Sequence, residues 1–334
     1  MKGELWFIFL LDVVTRGARL KIGILGIGAI GGVLVGALSK TESEIICVSR
    51  SNTATLLSSG LVINTPEGEI EFVDNGRYEV IDSEKKPISK NYFKTCDYSI
   101  IAGKTYSTFE LASVAKDITK EDGYIISIQN GLGNREIISR LVGKDRTIGG
   151  SITHSSWRSS EGEINWTGRG SLTIGIPSKN QNEKIISLIE ILNLAGLNAD
   201  WSKEIDKILW KKLFINIAIN PICAITGLKN GALLDEPELM SQAIEAMGEA
   251  LAVAQSYGLN FEDLDIEKNL IEIIENTSEN RVSMLQDIMA GRKTEIDSLC
   301  GEIISRGKIL GIPTPKNEIL YALIKGIESS QFLD

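Results

Sequence analysis

The chain has 334 residues, of which 43% are hydrophobic and 24% are charged. At roughly 150 residues per domain this length predicts two domains, and the composition excludes a disordered chain because it supplies enough apolar side chains for real cores. The formal net charge of −9 argues against a nucleic-acid partner, since phosphate binding needs a basic surface.

The amino-terminal residues contain an apolar run at 5–11 that resembles the core of a signal peptide. Glu4 precedes the run, Asp12 ends it, and no small-residue cleavage site follows. We therefore treat residues 1–20 as an extension, formed either by an extra strand or by a start codon assigned too early. Apolar runs of the ~18–20 residues needed to cross a bilayer are absent from the sequence, so we expect no membrane partner.

Cysteine spacing points to a cytoplasmic protein. The four cysteines are scattered and form no CxxC pair, at Cys47, Cys96, Cys223 and Cys300. Such spacing is typical of reduced thiols and not of a disulfide framework or a zinc site. We predict no bound metal.

A glycine-rich turn follows the first predicted strand, at 20–26, and opens a helix at about 29–40. It matches G-x-G-x-x-G, in the order Gly26, Ile27, Gly28, Ala29, Ile30, Gly31. Between a strand and a helix, this pattern indicates a dinucleotide site. The first glycine allows a tight turn, the second lets the backbone approach a pyrophosphate, and the third permits close packing of the helix on the sheet.

The end of the second predicted strand, at 45–48, bears on the choice of cofactor. Sites that prefer NAD usually carry Asp or Glu there for the ribose hydroxyls. This sequence instead has Ser49-Arg50-Ser51-Asn52. A cation among hydroxyls suits a 2′-phosphate, so we expect Arg50 to bind NADPH.

Further strands and helices alternate as far as about residue 200. We predict strands at 98–102, 124–128, 148–153, 162–166 and 171–175, a helix at 107–120 and a short β-meander at 60–80. This alternation predicts a parallel or mixed sheet covered on both faces. From about 203 the pattern is helical, with periodic segments at 204–226, 238–257, 266–289, 293–311 and 316–326. The predicted fold is α/β, with a Rossmann dinucleotide-binding domain at 21–202 and an all-α domain at 203–334.

A polar stripe lies inside the first of these helical segments. Lys212, Asn216 and Asn220 are four residues apart, so they share one helix face over about 12 Å. The surrounding residues are mostly Leu, Phe, Ile and Ala. The stripe therefore predicts a cleft that binds an oxygen-rich small molecule and can give it a proton.

Two motifs in the helical region carry a specific resemblance. The stripe lies in W-x-K-L-x-x-N-x-x-x-N-P, and residues 283–297 read S-M-L-Q-D-I-x-A-x-R-x-T-E-I-D. With the glycine turn, in this order, they resemble ketopantoate reductase (2-dehydropantoate 2-reductase) from about Lys21 to the carboxyl-terminal region. The resemblance implies NADPH-dependent reduction of 2-dehydropantoate to (R)-pantoate, on the route to pantothenate and coenzyme A.

The resemblance also implies roles for individual residues. Lys212 would be the general acid, and Glu295 would position the substrate and the lysine. The implied substrate-binding residues are Asn130, Asn216, Asn220, Asn280 and Ser283. Lys104 would lie near the nicotinamide ribose, with Asn130 adjacent to both cofactor and substrate. The setting of Lys104, Gly-Lys-Thr-Tyr, departs from the Val-Lys-Ala expected for the family.

Elementary chemistry supports a lysine acid independently of the resemblance. Hydride attack on a ketone leaves an alkoxide, which must receive a proton from a donor within hydrogen-bonding reach. The chain has one histidine, His154, for which we favour a structural role. A lysine also stabilises developing negative charge. Lys211 is the rival donor, but it lies about 100° around the helix from Lys212.

Ser283 and Glu295 set a geometric condition. On a straight helix they would be about 18 Å apart and about 120° out of phase, too far for both to touch one small substrate. We therefore predict a break or sharp bend between them, at Ala290-Gly291-Arg292.

Two alternatives to ketopantoate reduction stay open at this stage. One is a reductase of another 2-oxo acid that uses the same fold, and the other is a non-catalytic NADPH-binding regulatory protein. We expect a small-molecule substrate in all but the last case. A homodimer is compatible with the sequence.

Overall fold

A computed structural model of the chain describes residues 19–85, 87–159, 162–262 and 264–331. The predictions for residues 1–18 of the extension lie outside the described residues. From Lys21 onward the described chain forms a sheet-based amino-terminal part and a helical carboxyl-terminal part.

Among the described residues, twelve strands belong to the amino-terminal part. They are β1 Lys21–Leu25, β2 Glu44–Ser49, β3 Leu61–Asn64, β4 Ile70–Val73, β5 Tyr78–Asp82, β6 Cys96–Ile101, β7 Thr119–Ser127, β8 Thr147–Ile152, β9 Ser155–Arg158, β10 Ile164–Gly168, β11 Leu172–Gly175 and β12 Ala199–Trp201. Five helices accompany them: α1 Ala29–Leu38, α2 Ser51–Leu57, α3 Thr108–Ile118, α4 Asn134–Val142 and α5 Glu183–Leu194.

Eight of these strands form one sheet in the order β12-β11-β8-β7-β6-β1-β2-β5. Every pairing is parallel except that of β11 with β8. The chain moves outward from β1 through β2 to β5 and then returns to β6 on the other side of β1. In such sheets a dinucleotide binds where the strand order reverses, outside the carboxyl ends of the strands. The glycine turn lies at that point.

Helices cover both faces of the sheet. Val33 and Leu34 of α1 and Leu188 of α5 join the core on one face, while Ala115 of α3 and Ile138 of α4 join the core on the other. Both faces of the sheet are therefore shielded from water, which explains why its strands are continuous runs of apolar residues and do not alternate apolar with polar residues. The predicted α/β fold with a Rossmann-type domain is confirmed.

The remaining four strands form a second, smaller sheet in the order β4-β3-β10-β9. The predicted β-meander at 60–80 is therefore wrong in its last strand. Only β3 and β4 form a hairpin, whereas β5 pairs with β2 in the main sheet. Tyr78 and Ile81 of β5 are buried in the main cores, which is where their apolar area is removed from water.

The described residues of the carboxyl-terminal part form six helices. They are α6 Ile205–Thr226, α7 Pro237–Ser256, α8 Ile266–Asn276, α9 Ser283–Met289, α10 Cys300–Leu310 and α11 Pro315–Gln331. They share one core, to which α6 contributes Leu213, Phe214 and Ile217. By length and composition α6 is apolar enough to cross a membrane, but 56% of its most apolar window is buried inside the protein, as in the core helix of a globular domain.

Candidate active site

The glycine turn has the geometry of a dinucleotide site. Gly26 has φ +89°, and a Cβ there would lie 2.4 Å from Gly103 Cα, beyond the end of β6. A Cβ on Gly31 would lie 2.2 Å from the Gly26 carbonyl oxygen. The packing roles predicted for the first and third glycines are thus confirmed: one makes the turn and the other lets α1 pack close to it.

Gly28 differs from the other two glycines of the turn. A Cβ on it would have no atom of the described chain within 4 Å, so space is open in front of this residue. Gly28 precedes α1, and no described side chain caps that helix end. Backbone N–H groups at an uncapped helix start, beside open space, fit the pyrophosphate of a nicotinamide dinucleotide.

The residues after β2 carry mixed charge. Arg50 is exposed immediately before α2. The Ser51 N–H donates to Glu84 Oε2 at 3.1 Å, and Ser51 Oγ donates to Asp82 at 2.9 and 3.0 Å. Hydrogen bonds from Ser51 lower the pKa of the Glu84 carboxyl, with a smaller contribution from the charge of Arg50. Sequence reasoning recognised the cation and missed both carboxylates.

The Lys212 side chain extends from the helical part to the main sheet. Its Nζ donates to the carbonyl oxygen of Ile152, the last residue of β8, at 2.7 Å. Burial lowers the pKa of this ammonium to about 8, against the opposing effect of the Glu295 charge. The rival Lys211 is exposed. Of the two adjacent lysines, only Lys212 therefore reaches the space between the two parts of the molecule.

Glu295 is a buried carboxylate of the site, with 7% of its surface exposed. Its Oε1 accepts the Thr105 N–H at 3.1 Å, and its Oε2 accepts from Asn130 Nδ2 at 3.2 Å. Lys104 Nζ lies 3.7 Å from the same Oε2. The preceding residue, Thr294, is held by the buried Glu328 through its N–H at 2.7 Å and its hydroxyl at 2.6 Å. These bonds fix the carboxylate in one position.

The predicted break between Ser283 and Glu295 is confirmed. Helix α9 ends at Met289, Gly291 has φ +61°, and no helix begins again until the 3₁₀ turn Ile296–Ser298. As a result both residues line one small cleft of about 200 Å³, a volume that includes the solvent at its mouth. Its other lining residues are Asn130, Asn220, Met284, Asp287 and Leu299.

Two of the predicted substrate-binding residues do not line the cleft. Asn216 is half-buried on α6 but does not line the cleft. Asn280 is exposed, and its main-chain carbonyl accepts the Asn230 N–H at 3.1 Å. Their roles stay predictions.

Lys104 forms an ion pair that sequence reasoning did not anticipate. Its Nζ lies 2.5 Å from Asp287 Oδ2. Burial works to lower the pKa of Lys104, but the charges of Glu295 and Asp287 outweigh it and the pKa is raised. Sequence reasoning quoted Asp287 within a motif yet gave it no role, because its partner lies 183 residues away. A part in cofactor binding stays a prediction for Lys104.

His154 has the structural role that we favoured. Its Nδ1 accepts the Gly170 N–H at 2.9 Å, which leaves Nε2 to donate to the Leu197 carbonyl at 3.0 Å. Its ring meets Trp166 edge-on, with centroids 5.3 Å apart. Both ring nitrogens are engaged, and burial lowers the pKa of the imidazole, so it is not a proton donor for the cleft.

A wider recess of about 860 Å³, open to solvent, lies between the β7–α4 loop and the helical part. Trp210 and Tyr257 line it, together with Arg135 and Arg306. Arg135 pairs with Asp206, and Arg306 pairs with Glu136 and Glu302. Because these charges are matched, the groups available for chemistry are those of the smaller cleft.

Comparison with known proteins identifies the family. A model described as Ketopantoate reductase PanE/ApbA matches residues 22–179, and one described as Ketopantoate reductase PanE/ApbA C terminal matches residues 204–328. The 2-dehydropantoate 2-reductase of Pyrococcus horikoshii is 37% identical over 311 residues, covering 93% of this chain and 98% of that protein. The Archaeoglobus fulgidus protein of that name is 30% identical, covering 92% and 98%.

Solved structures share the fold. A PanE/ApbA family ketopantoate reductase from Ralstonia eutropha JMP134 is 27% identical with a TM-score of 0.82, covering 93% of this chain and 99% of that one. D-mandelate dehydrogenase with NADH and anilino(oxo)acetate gives a TM-score of 0.85 at 22% identity over the same shares, a likeness of fold alone. Since the matched segments include the glycine turn, Lys212 and Glu295, the chain belongs to the ketopantoate reductase family.

Proposed function

We propose that this protein reduces 2-dehydropantoate to (R)-pantoate with NADPH, on the route to pantothenate and coenzyme A, with Lys212 as general acid. The observation that carries the proposal is the buried Lys212 ammonium, whose pKa of about 8 lies near neutral pH. It lies beside a cleft that is lined by polar side chains, those of Asn130, Asn220, Ser283 and Glu295. The relatives named 2-dehydropantoate 2-reductase support this choice of substrate.

Lys212 delivers the proton. When bound, the nicotinamide ring supplies the hydride that reduces the ketone carbon. As negative charge grows on the ketone oxygen, Lys212 Nζ transfers a proton to it, and the neutral amine then regains a proton from solvent. An ammonium has three donors, so the bond to the Ile152 carbonyl can orient Lys212 while another N–H faces the substrate.

Glu295 keeps the lysine protonated and does not itself donate. Its charge opposes the effect of burial on the pKa of Lys212. Both of its oxygens accept hydrogen bonds, from Thr105 and Asn130, so the charge cannot swing away. A carboxylate fixed in this way acts as a positioning group for the acid.

Binding of the substrate falls to the amides and hydroxyl of the cleft. The Ser283 side chain, at the start of α9, and the Asn220 amide face it from two helices. Hydroxyl and carboxamide groups suit a substrate that carries both a carboxylate and a hydroxyl. We propose Asn216 and Asn280 as further contacts, together with Lys104 at the cofactor.

NADPH is the proposed cofactor on the strength of Arg50. The carboxylates of Asp82 and Glu84 oppose that choice, although both are engaged by Ser51. The fold itself decides nothing here, since D-mandelate dehydrogenase binds NADH on the same fold.

The test is a spectrophotometric screen of cofactor oxidation across 2-oxo acids, with NADPH and NADH side by side. We expect the highest kcat/KM for 2-dehydropantoate with NADPH. Equal or better turnover of a straight-chain 2-oxo acid would exclude the proposed substrate, and equal use of NADH would exclude the proposed cofactor preference.

Lys212→Ala tests the mechanism in the same assay. Loss of a general acid costs about 10²–10⁴ in rate. Lys211→Ala is the matched control, because it removes the neighbouring exposed lysine from the same helix. Full kcat in the Lys212→Ala variant would show that the lysine is not the acid.

A further inference from the structure

Arg158, the last residue of β9, reaches from the small sheet to the predicted cofactor site. Its Nη1 donates to the Ile27 carbonyl oxygen in the glycine turn at 3.1 Å and to Thr53 Oγ1 in α2 at 3.1 Å. The guanidinium therefore lies between the segment that faces a pyrophosphate and the helix that follows Arg50. No sequence motif pointed to it.

The rest of this guanidinium has no partner within the described ranges. No carboxylate of a described residue lies within 4.0 Å, and Nε and Nη2 make no hydrogen bond to described atoms. Burial lowers the pKa of Arg158, with no nearby charge acting in the other direction. A half-buried cation without a counter-ion is costly, so an anion that arrives with a ligand would relieve it.

Other arginines of the same part of the molecule show that this is unusual. Arg169 is held by Glu67 through two nitrogens, and Arg146 lies 3.4 Å from Glu121. Arg77, like Arg158, donates to main-chain carbonyls, but it is exposed to solvent. Arg158 is half-buried, and one edge of its guanidinium, formed by Nε and Nη2, has no partner among the described residues. We call this its free edge.

The position of Arg158 favours the 2′-phosphate of the cofactor over its pyrophosphate. The pyrophosphate belongs at the start of α1, while the 2′ substituent of the ribose lies at the end of β2. Arg158 is tied to Thr53, three residues after Arg50. Because Glu84 already faces Arg50, Arg158 is the cation here whose charge is not offset by a described carboxylate.

We propose that the free edge of Arg158 binds the 2′-phosphate of the adenosine ribose and so takes part, with Arg50, in the selection of NADPH over NADH. A planar guanidinium matches phosphate geometry with two parallel hydrogen bonds. The inference rests on the proposed use of NADPH and adds to it a residue from a different sheet.

Calorimetric binding of two fragments tests it without turnover. Adenosine 2′,5′-bisphosphate and adenosine 5′-monophosphate differ only in the 2′-phosphate. We expect Arg158→Gln to weaken binding of the bisphosphate by about tenfold or more, since a charge-assisted hydrogen bond is lost. Binding of the monophosphate should change less than twofold. Arg77→Gln, which removes the exposed carbonyl-bonding arginine, should change neither.

The other possible outcomes contradict either the role of Arg158 or the proposed use of NADPH. If Arg158→Gln weakens both fragments equally, and Thr53→Val does the same, Arg158 only clamps the glycine turn to α2 and the inference is wrong. An unchanged preference for the bisphosphate in Arg158→Gln also overturns it. If the unmodified protein shows no preference for the bisphosphate, the NADPH proposal itself fails.

Discussion

Lys212 shows at the scale of one residue how burial and charge are set against each other. Removal from water disfavours the ammonium form, while the Glu295 charge favours it. The balance leaves a pKa of about 8, close enough to neutral pH for the proposed general acid, which would have to lose and regain a proton in each turnover. An exposed lysine would hold its proton too tightly, and one buried without Glu295 would lose it too early.

The pH dependence of kcat/KM follows from this balance. Since the acid must be protonated, we expect kcat/KM for ketone reduction to fall as pH rises through about 8. Glu295→Gln removes the charge that raises the pKa of Lys212, so the fall should begin at lower pH. Glu272→Gln, at an exposed position of α8, is the control and should leave the profile in place. A Glu295→Gln profile that keeps its alkaline limb would show that Glu295 does not act on the acid.

Individual residues of the site were predictable to different degrees. Asn220, Ser283 and Glu295 lie in recognisable motifs and all three line the cleft. Lys212, in the same motif as Asn220, does not line the cleft but lies near enough to Glu295 for that charge to raise its pKa. Asp287 was not predictable in the same way, because its role depends on Lys104, which lies far away in sequence. Pairs that form only through the fold leave no local signal for sequence reasoning to find.

At the scale of elements, the turn after α9 decides which residues meet. The Gly291 N–H donates to the Ile288 carbonyl at 3.0 Å and the Arg292 N–H to the Asp287 carbonyl at 2.8 Å, which is the Schellman pattern with glycine in the left-handed position. The sequence showed this stop because glycine is the weak point of a helix.

The sequence showed other helix ends less clearly, and two of the predicted helices were too long. The segments predicted at 266–289 and 293–311 each contain a non-helical stretch, since α8 ends at Asn276 and α10 begins only at Cys300. Apolar spacing continues across both stretches because both sides pack on one core, so periodicity alone cannot locate the ends.

Gly291→Ala tests the role of the turn. Nothing described lies within 4 Å of a Cβ there, so the cost is backbone strain of about 1–2 kcal/mol. Gly311→Ala is a matched control: Gly311 ends α10 with φ +70°, in equally open space and away from the cleft. We expect similar losses of thermal stability in both variants, and a raised KM for 2-dehydropantoate in Gly291→Ala alone. Equal KM values would mean that this turn does not set the spacing of Ser283 and Glu295.

At the scale of the whole molecule, the site exists only where the two parts meet. Lys104, Thr105 and Asn130 belong to the sheet part, whereas Glu295 and Asp287 belong to the helical part. Lys212 bonds back to β8, and Arg306 pairs with Glu136 across the same interface. The contacts that hold the parts together are therefore largely those that hold the proposed catalytic groups in place.

A double-mutant cycle on Lys104 and Asp287 tests this coupling. After Lys104→Met, Asp287 still has Arg292 Nε at 3.1 Å, and after Asp287→Asn, Lys104 still has Glu295. We therefore expect a moderate coupling energy in urea unfolding of roughly 1 kcal/mol.

The same variants should loosen the interface locally. The Thr105 N–H donates to Glu295 across it, so its hydrogen exchange reports on opening and should speed up in each single variant. The exposed pair Lys229–Glu279, 2.6 Å apart within the helical part, supplies the control cycle. Its coupling should be smaller, because solvent screens it, and it should leave Thr105 exchange unchanged. If the Lys104–Asp287 cycle couples no more strongly than this surface pair, the ion pair does not hold the two parts together, and closure of the cleft must depend on Thr105, Arg306 and Lys212 instead.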